Sequence, residues 1–153
     1  MDPCPCGRIG CAENAVSGIG FTHQVKKYGR KDLLNPDTGM ADTKKLFRLA
    51  QTGDKTCCGI VDYGAKTLAN VIMNLVRFSD PDTIVYGGGI LSDEWFMGKV
   101  RENLVPEIMS GVTKGLVPST FSPGNAGLLG AASLGMEDYR IKRGKMEEST
   151  RAI

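Results

Sequence analysis

Three thiols and a carboxylate fall within the ten residues Cys4-Pro5-Cys6-Gly7-Arg8-Ile9-Gly10-Cys11-Ala12-Glu13, a density that suits metal ligation better than core packing. Cys4 and Cys6 are too close in sequence to bond each other without strain. A tight turn through Gly7 and Gly10 can swing Cys11 back toward both, so that three sulfurs converge on one point. A structural zinc site takes four ligands, and three thiolates plus one histidine is a standard set. His23 is the only histidine of the chain, but it falls on an expected helix after the cluster, where a surface or core role is the better reading. Adjacent Cys57 and Cys58, at an expected helix start, read as packing residues. A second feature with chemical potential is Gly87-Gly88-Gly89, directly after the β-branched and aromatic run Thr83-Ile84-Val85-Tyr86. A glycine run alone is a turn; after a strand it becomes a place where a nucleotide can approach the backbone. Glu13, two positions from a metal-held cysteine, can accept hydrogen bonds from ligand hydroxyls.

The chain that must position these groups has 153 residues, 41% hydrophobic and 24% charged, the profile of one globular domain. A formal net charge of +2 gives no basic field for nucleic acid or an anionic membrane, so neither is expected as a partner. No apolar run approaches the roughly 20 residues that span a bilayer, and the first residues lack a signal-peptide layout. The expected compartment is the cytoplasm, where five cysteines, an odd number, read as reduced or metal-bound.

Periodicity predicts a helix over Ala12 to Tyr28, with the small pair Ser17-Gly18 where another backbone can approach closely and Gly29 closing it. Asn35-Pro36-Asp37-Thr38-Gly39 is turn chemistry, followed by a short helix from Thr43 to Gln51 ended by Gly53. The strongest helical pattern runs from about Cys57 to Ser79, with Ala65, Leu68, Ala69, Ile72, Leu75 and Val76 on one face and Asp80-Pro81 as its stop. After the strand at Thr83–Tyr86 and the glycines, Ser92 or Asp93 caps a helix carrying Phe96, Val100, Leu104 and Ile108. Leu116 to Phe121 reads as a second strand. Asn125 to Ala132 opens a small-residue helix suited to packing against a sheet. Alternating helix and strand predicts an α/β fold with parallel strands joined by right-handed crossovers and ligands at their carboxyl ends. From residue 139 to 153 the density of charge and scarcity of large apolar residues read as a disordered tail.

The string Cys-x-Cys-Gly-x-x-Gly-Cys-x-Glu from Cys4 to Glu13, followed by Ser17-Gly18, resembles the signature of the ROK family of sugar kinases and repressors. Asp80 to Ile90 is similar to that family's adenosine-binding segment, and Ala126 to Ala132 to its closing helix, so that the likeness spans nearly residues 3–138, within an expected domain at 1–138. The local string Ile9 to Asn14 with Ser17 to Phe21 is most similar to bacterial N-acetylglucosamine kinases, with glucokinases next. The resemblance implies an actin-like, ribonuclease-H-like ATPase fold, of which this chain is a partial, carboxy-terminal lobe. It implies that Cys4, Cys6 and Cys11 hold structural zinc (Zn2+), that Glu13 binds sugar hydroxyls, and that Gly87, Gly88 and Gly89 admit adenosine. ATP and Mg2+ would serve the complete enzyme. The family's catalytic aspartate, phosphate-binding glycine motif and Glu-x-Gly-His segment would lie upstream of Met1. The last of these carries the family's fourth zinc ligand, leaving water, His23 or a partner to complete the site. The function implied is a fragment of a kinase acting on the 6-hydroxyl of N-acetylglucosamine or glucose, inactive alone. The alternative is the sugar-sensing module of a ROK-type repressor, against which the intact glycine triplet argues. Implied partners are the sugar, ATP, an amino-terminal lobe and, in a homodimer, a second copy of the chain.

Overall fold

The computed structural model describes residues 3–121 and 125–151, with residues 143–151 described by backbone alone. In chain order the elements are α1 (Glu13–Val16), α2 (Gly18–Lys27), a 3-10 turn (Lys31–Leu33), α3 (Thr43–Gln51), α4 (Lys55–Ser79), β1 (Ile84–Tyr86), α5 (Glu94–Glu102), α6 (Pro106–Met109), β2 (Leu116–Pro118) and α7 (Asn125–Arg151). The expected α/β class and the parallel pairing both hold: β1 lies beside β2 with Ile84, Val85 and Tyr86 opposite Leu116, Val117 and Pro118.

The 25-residue α4 is the axis of the core and buries Cys57, Ile60, Val61, Ala65, Ala69, Ile72, Met73 and Val76 along one stripe. Leu75, expected on that stripe, instead faces out at 51% exposure, because the buried row turns through Met73 and Val76 on either side of it. Three phenylalanines from three helices close the core over α4. Phe47 stacks on Phe96 with ring centroids 5.1 Å apart, and Phe21 meets both edge-on at 5.6 and 5.8 Å. Such aromatic contacts add about 0.5–1.5 kcal/mol each beyond burial. Asp54 caps α4 by accepting from the Cys57 N–H at 2.9 Å, and the Arg30 guanidinium holds both its oxygens at 2.8 Å.

Four expectations change in detail. The helix over 12–28 is broken at Ser17, whose extended backbone (ψ 169°) ends α1 and whose hydroxyl accepts from the Gly20 N–H at 2.9 Å to start α2. The close approach falls at Gly20 rather than Gly18: a Cβ on Gly20 would sit 2.3 Å from the Glu13 carbonyl oxygen, whereas one on Gly18 would meet nothing within 4 Å. Leu104 and Ile108 leave α5, which stops at Glu102, and Pro106 opens the separate α6, since proline suits a first helical turn and breaks an interior one. Finally, the small-residue helix does not lie against the sheet. Its described side chains are exposed, and its backbone continues through residues 139–151, where composition reads a disordered tail. Glu, Lys and Arg in that stretch are good helix formers, and Lys142 pairs with Asp138 at 2.7 Å one turn back.

Candidate functional site

The first loop folds on itself before any helix begins. An antiparallel bridge joins Pro3 to Ile9, the Cys4 N–H donates to the Arg8 carbonyl at 2.8 Å, and Gly7 and Gly10 adopt φ of +84° and +78°, which disfavour any residue with a Cβ. The Cys4, Cys6 and Cys11 sulfurs thereby lie within 4.8 Å of one another, with Cys6 and Cys11 at 3.5 Å. Two sulfurs on one tetrahedral zinc, each bonded at about 2.3 Å, stand about 3.8 Å apart, so this spacing fits such an ion. The three thiols also perturb each other. The Arg8 backbone, then the neighbouring thiols, hold Cys6 below the usual thiol range, while the proton shared with Cys6 and then Cys4 pushes Cys11 up to about 11. Among the described residues no further His, Cys, Asp or Glu joins them, and His23 stays half-buried on α2.

Cys11 leads into α1. Its carbonyl accepts from the Asn14 N–H at 3.1 Å, and the Asn14 amide returns to the Pro3 carbonyl at 3.0 Å, tying the helix to the thiol loop. On the other side α1 is wedged against two glycines, Gly20 of α2 and Gly64 of α4. A Cβ at Gly64 would approach the Ala15 carbonyl oxygen to 2.9 Å. Glu13 stands exposed at the start of this single turn, and Ser17, whose hydroxyl donates to the Glu13 carbonyl at 2.7 Å, stands at its end.

Ser17 opens onto the second half of the site. Gly87, Gly88 and Gly89 follow β1 directly, with Gly88 at φ +108° and Gly87 close enough to β2's end that a Cβ would lie 3.1 Å from the Ser119 Cβ. A cleft of about 540 Å3 runs between these glycines with Ile90 and Leu91, the start of α2 with Val16, Ser17 and Gly18, and Met40, Ala41 and Thr43. None of the side chains lining it is charged. A smaller cavity of about 150 Å3 adjoins the same glycines at the carboxyl ends of both strands, lined among others by Ser92, Glu94 and Ser119. Both open where parallel strands end, the usual place for a ligand in an α/β sheet.

The structure thus gathers Cys4, Cys6 and Cys11 at one end of α1 and the glycine triplet near the other, with Glu13 between. Sequence reading missed Val16, Met40, Ala41, Thr43 and Leu91 as cleft residues. The turn before Met40 was legible, but no spacing connects it to the glycine loop.

The sequence profile of the ROK family matches residues 1–138. The chain belongs to the ROK family. It is 27% identical over 135 residues to an N-acetyl-D-glucosamine kinase of Escherichia fergusonii, an alignment covering 88% of this chain and 42% of that kinase. The ROK hexokinase of Thermus thermophilus superposes with a TM-score of 0.70 at 27% identity, over 90% of this chain and 45% of the hexokinase. The ROK glucokinase of Streptomyces griseus, solved with glucose and AMPPNP, shares the fold at a TM-score of 0.61 and 21% identity, over 84% of this chain and 45% of its own length. The ROK chain described here therefore spans less than half the length of these relatives. Its α/β fold is part of their actin-like ATPase architecture. Within that frame, no described helix is long and apolar enough to cross a membrane.

Proposed function

We propose that this chain is part of an ATP-dependent sugar kinase that phosphorylates the 6-hydroxyl of N-acetylglucosamine or glucose. Cys4, Cys6 and Cys11 would hold a structural zinc, which supplies no reacting group and fixes the loop leading into α1. Glu13 would accept hydrogen bonds from sugar hydroxyls, and Gly87, Gly88 and Gly89 would let the adenosine of ATP lie against the backbone. The observation that carries this reading is the place of α1. One helical turn, rising about 6 Å, separates Glu13 from Ser17 at the wall of the glycine-lined cleft, so acceptor and nucleotide meet across a single short element. The relatives' activities, hexokinase and N-acetyl-D-glucosamine kinase, support the same chemistry.

Phosphoryl transfer needs a base for the sugar hydroxyl and groups that hold Mg2+ and the phosphates. We assign neither to a described residue, so the chain by itself is expected to bind without turning over. The test is calorimetric titration of N-acetylglucosamine and glucose into the chain and into Glu13→Gln, with zinc measured in both by atomic emission. Glu13→Gln should weaken sugar binding about tenfold, the value of one charge-assisted hydrogen bond, with zinc content unchanged. Equal affinity in the two proteins would remove Glu13 from the site, and phosphate transfer by the chain alone would refute its inactivity.

A further inference from the structure

The wall of the cleft opposite the glycines is a loop that nothing in the ROK motifs singles out. Residues 34–42 form a closed hairpin-like excursion between α2 and α3. Leu34 bridges Ala41, the Asn35 N–H donates to the Met40 carbonyl at 2.8 Å, and the Asn35 side chain accepts from the Asp37 and Thr38 N–H groups at 2.9 and 3.0 Å. Its end is pinned to α2 through Thr22, which is 6% exposed. The Thr22 hydroxyl donates to the Gly18 carbonyl at 2.7 Å and accepts from the Ala41 N–H at 2.9 Å, with the Met40 Sδ at 3.9 Å. One buried hydroxyl therefore fixes two walls of the cleft together, Gly18 on the α2 side and Met40 with Ala41 on the other. Met40 remains 39% exposed and lines the cleft together with Gly87 to Leu91.

We propose that Met40 is a specificity-determining residue for the nucleotide base: its thioether covers one face of a purine whose other side lies along the glycine loop and Leu91. The proposal rests on the reading of Gly87, Gly88 and Gly89 as the nucleotide site and adds the residue that selects the ring. Three properties of the cleft carry it. Its lining is uncharged, which suits a neutral heteroaromatic ring and not phosphates or a metal ion. Its volume of about 540 Å3 exceeds what a base alone requires and leaves the rest of a nucleoside room. Met40, held beside Ala41 and at its own sulfur by Thr22 yet 39% exposed, offers the cleft an apolar, polarizable surface whose contacts with rings are favourable.

The test uses the whole chain labelled with 15N and with 13C at its methionine methyl groups, titrated separately with adenosine, cytidine and N-acetylglucosamine. Adenosine should shift the Met40 methyl and the Gly88 and Gly89 amides together, while the buried Met97 methyl stays in place. Met40→Ala should weaken adenosine about 2- to 10-fold and Met40→Leu should largely restore it. Cytidine, with less ring to cover, should bind more weakly than adenosine and lose less affinity in Met40→Ala. Adenosine that moves the glycine amides without moving Met40, or that binds Met40→Ala as well as wild type, would overturn the role of Met40 and leave the nucleotide site standing. No adenosine shift anywhere, or a Met40 shift caused by N-acetylglucosamine instead, would overturn both. Retained unfolding midpoints in the variants separate loss of binding from loss of fold.

Discussion

Two glycines separated by one residue should respond to alanine in opposite directions. In Gly20→Ala the new Cβ would stand 2.3 Å from the Glu13 carbonyl oxygen and 2.7 Å from the Asn14 carbonyl carbon. Both are backbone atoms, so no rotamer change relieves the overlap. Ordinary van der Waals contact begins at 3.4 Å, so α1 must retreat from α2 by 3.4 − 2.3 = 1.1 Å or α2 must distort. Overpacking of this kind costs about 1–3 kcal/mol, and retreat of α1 also strains the Ser17 cap that joins the two helices. Gly18→Ala meets nothing within 4 Å and replaces a glycine at the first residue of α2, so it should be neutral or stabilising by up to about 1 kcal/mol. Urea denaturation of the two variants measures both values, and the rate of zinc transfer to a chromogenic chelator reports whether the displaced α1 loosens the thiol loop. Gly20→Ala within 0.5 kcal/mol of wild type, with unchanged metal release, would refute the argument that this contact locates α1.

Other predictions follow from the same geometry. Cys6→Ser should lower bound zinc well below one per chain and weaken sugar binding through the loop that carries Glu13, as metal analysis and calorimetry on one sample will show. Phe96→Ala removes a fully buried ring that touches both Phe21 and Phe47, and should cost about 3–5 kcal/mol in urea denaturation. Asp54→Ala should lower the urea midpoint at pH 7 by removing a helix cap and an arginine partner. The Cys57 N–H first, with Arg30 adding to it, holds the Asp54 carboxyl below 3.8, so its contribution is complete above that pH and fades as pH falls further. The stability gap between wild type and Asp54→Ala should therefore narrow only below about pH 4, and a gap that narrows between pH 7 and 5 would contradict the assignment.

What the sequence disclosed depended on how local each signal was. Thr43–Gln51 is read within its own residues, because Asp42 caps it and Gly53 ends it, and the structure places it at those bounds. The thiol cluster is equally local, since its three sulfurs are brought together by two glycine turns inside eight residues. The break at Ser17 was hidden because residues 12–28 keep a helical pattern on both sides of it. What decides the break is packing of α1 against Gly20 and Gly64, the second of them far along the chain. Spacing puts Leu75 inward, because apolar identity does not say which edge of a stripe its neighbours cover. Met40 lay beyond reach for the same reason: it shares a cleft with residues 87–91 that lie far along the chain, and the Thr22 hydroxyl that fixes it leaves no periodic trace.

The single turn of α1 is too short to be helical by its own propensity, and is tied at one end by the Asn14 amide on Pro3 and at the other by the Ser17 hydroxyl. Under the proposed assignment, metal at one end and sugar at the middle stabilise the same marginal segment without touching each other. Their binding constants then cannot be independent. Whatever factor zinc adds to sugar affinity, sugar must return to zinc, so a saturating acceptor should slow the escape of the ion by drawing on the same free energy. A group classed as structural would in that case set how tightly the acceptor is held, and a cell short of zinc would register the shortage as weaker sugar capture before any loss of fold.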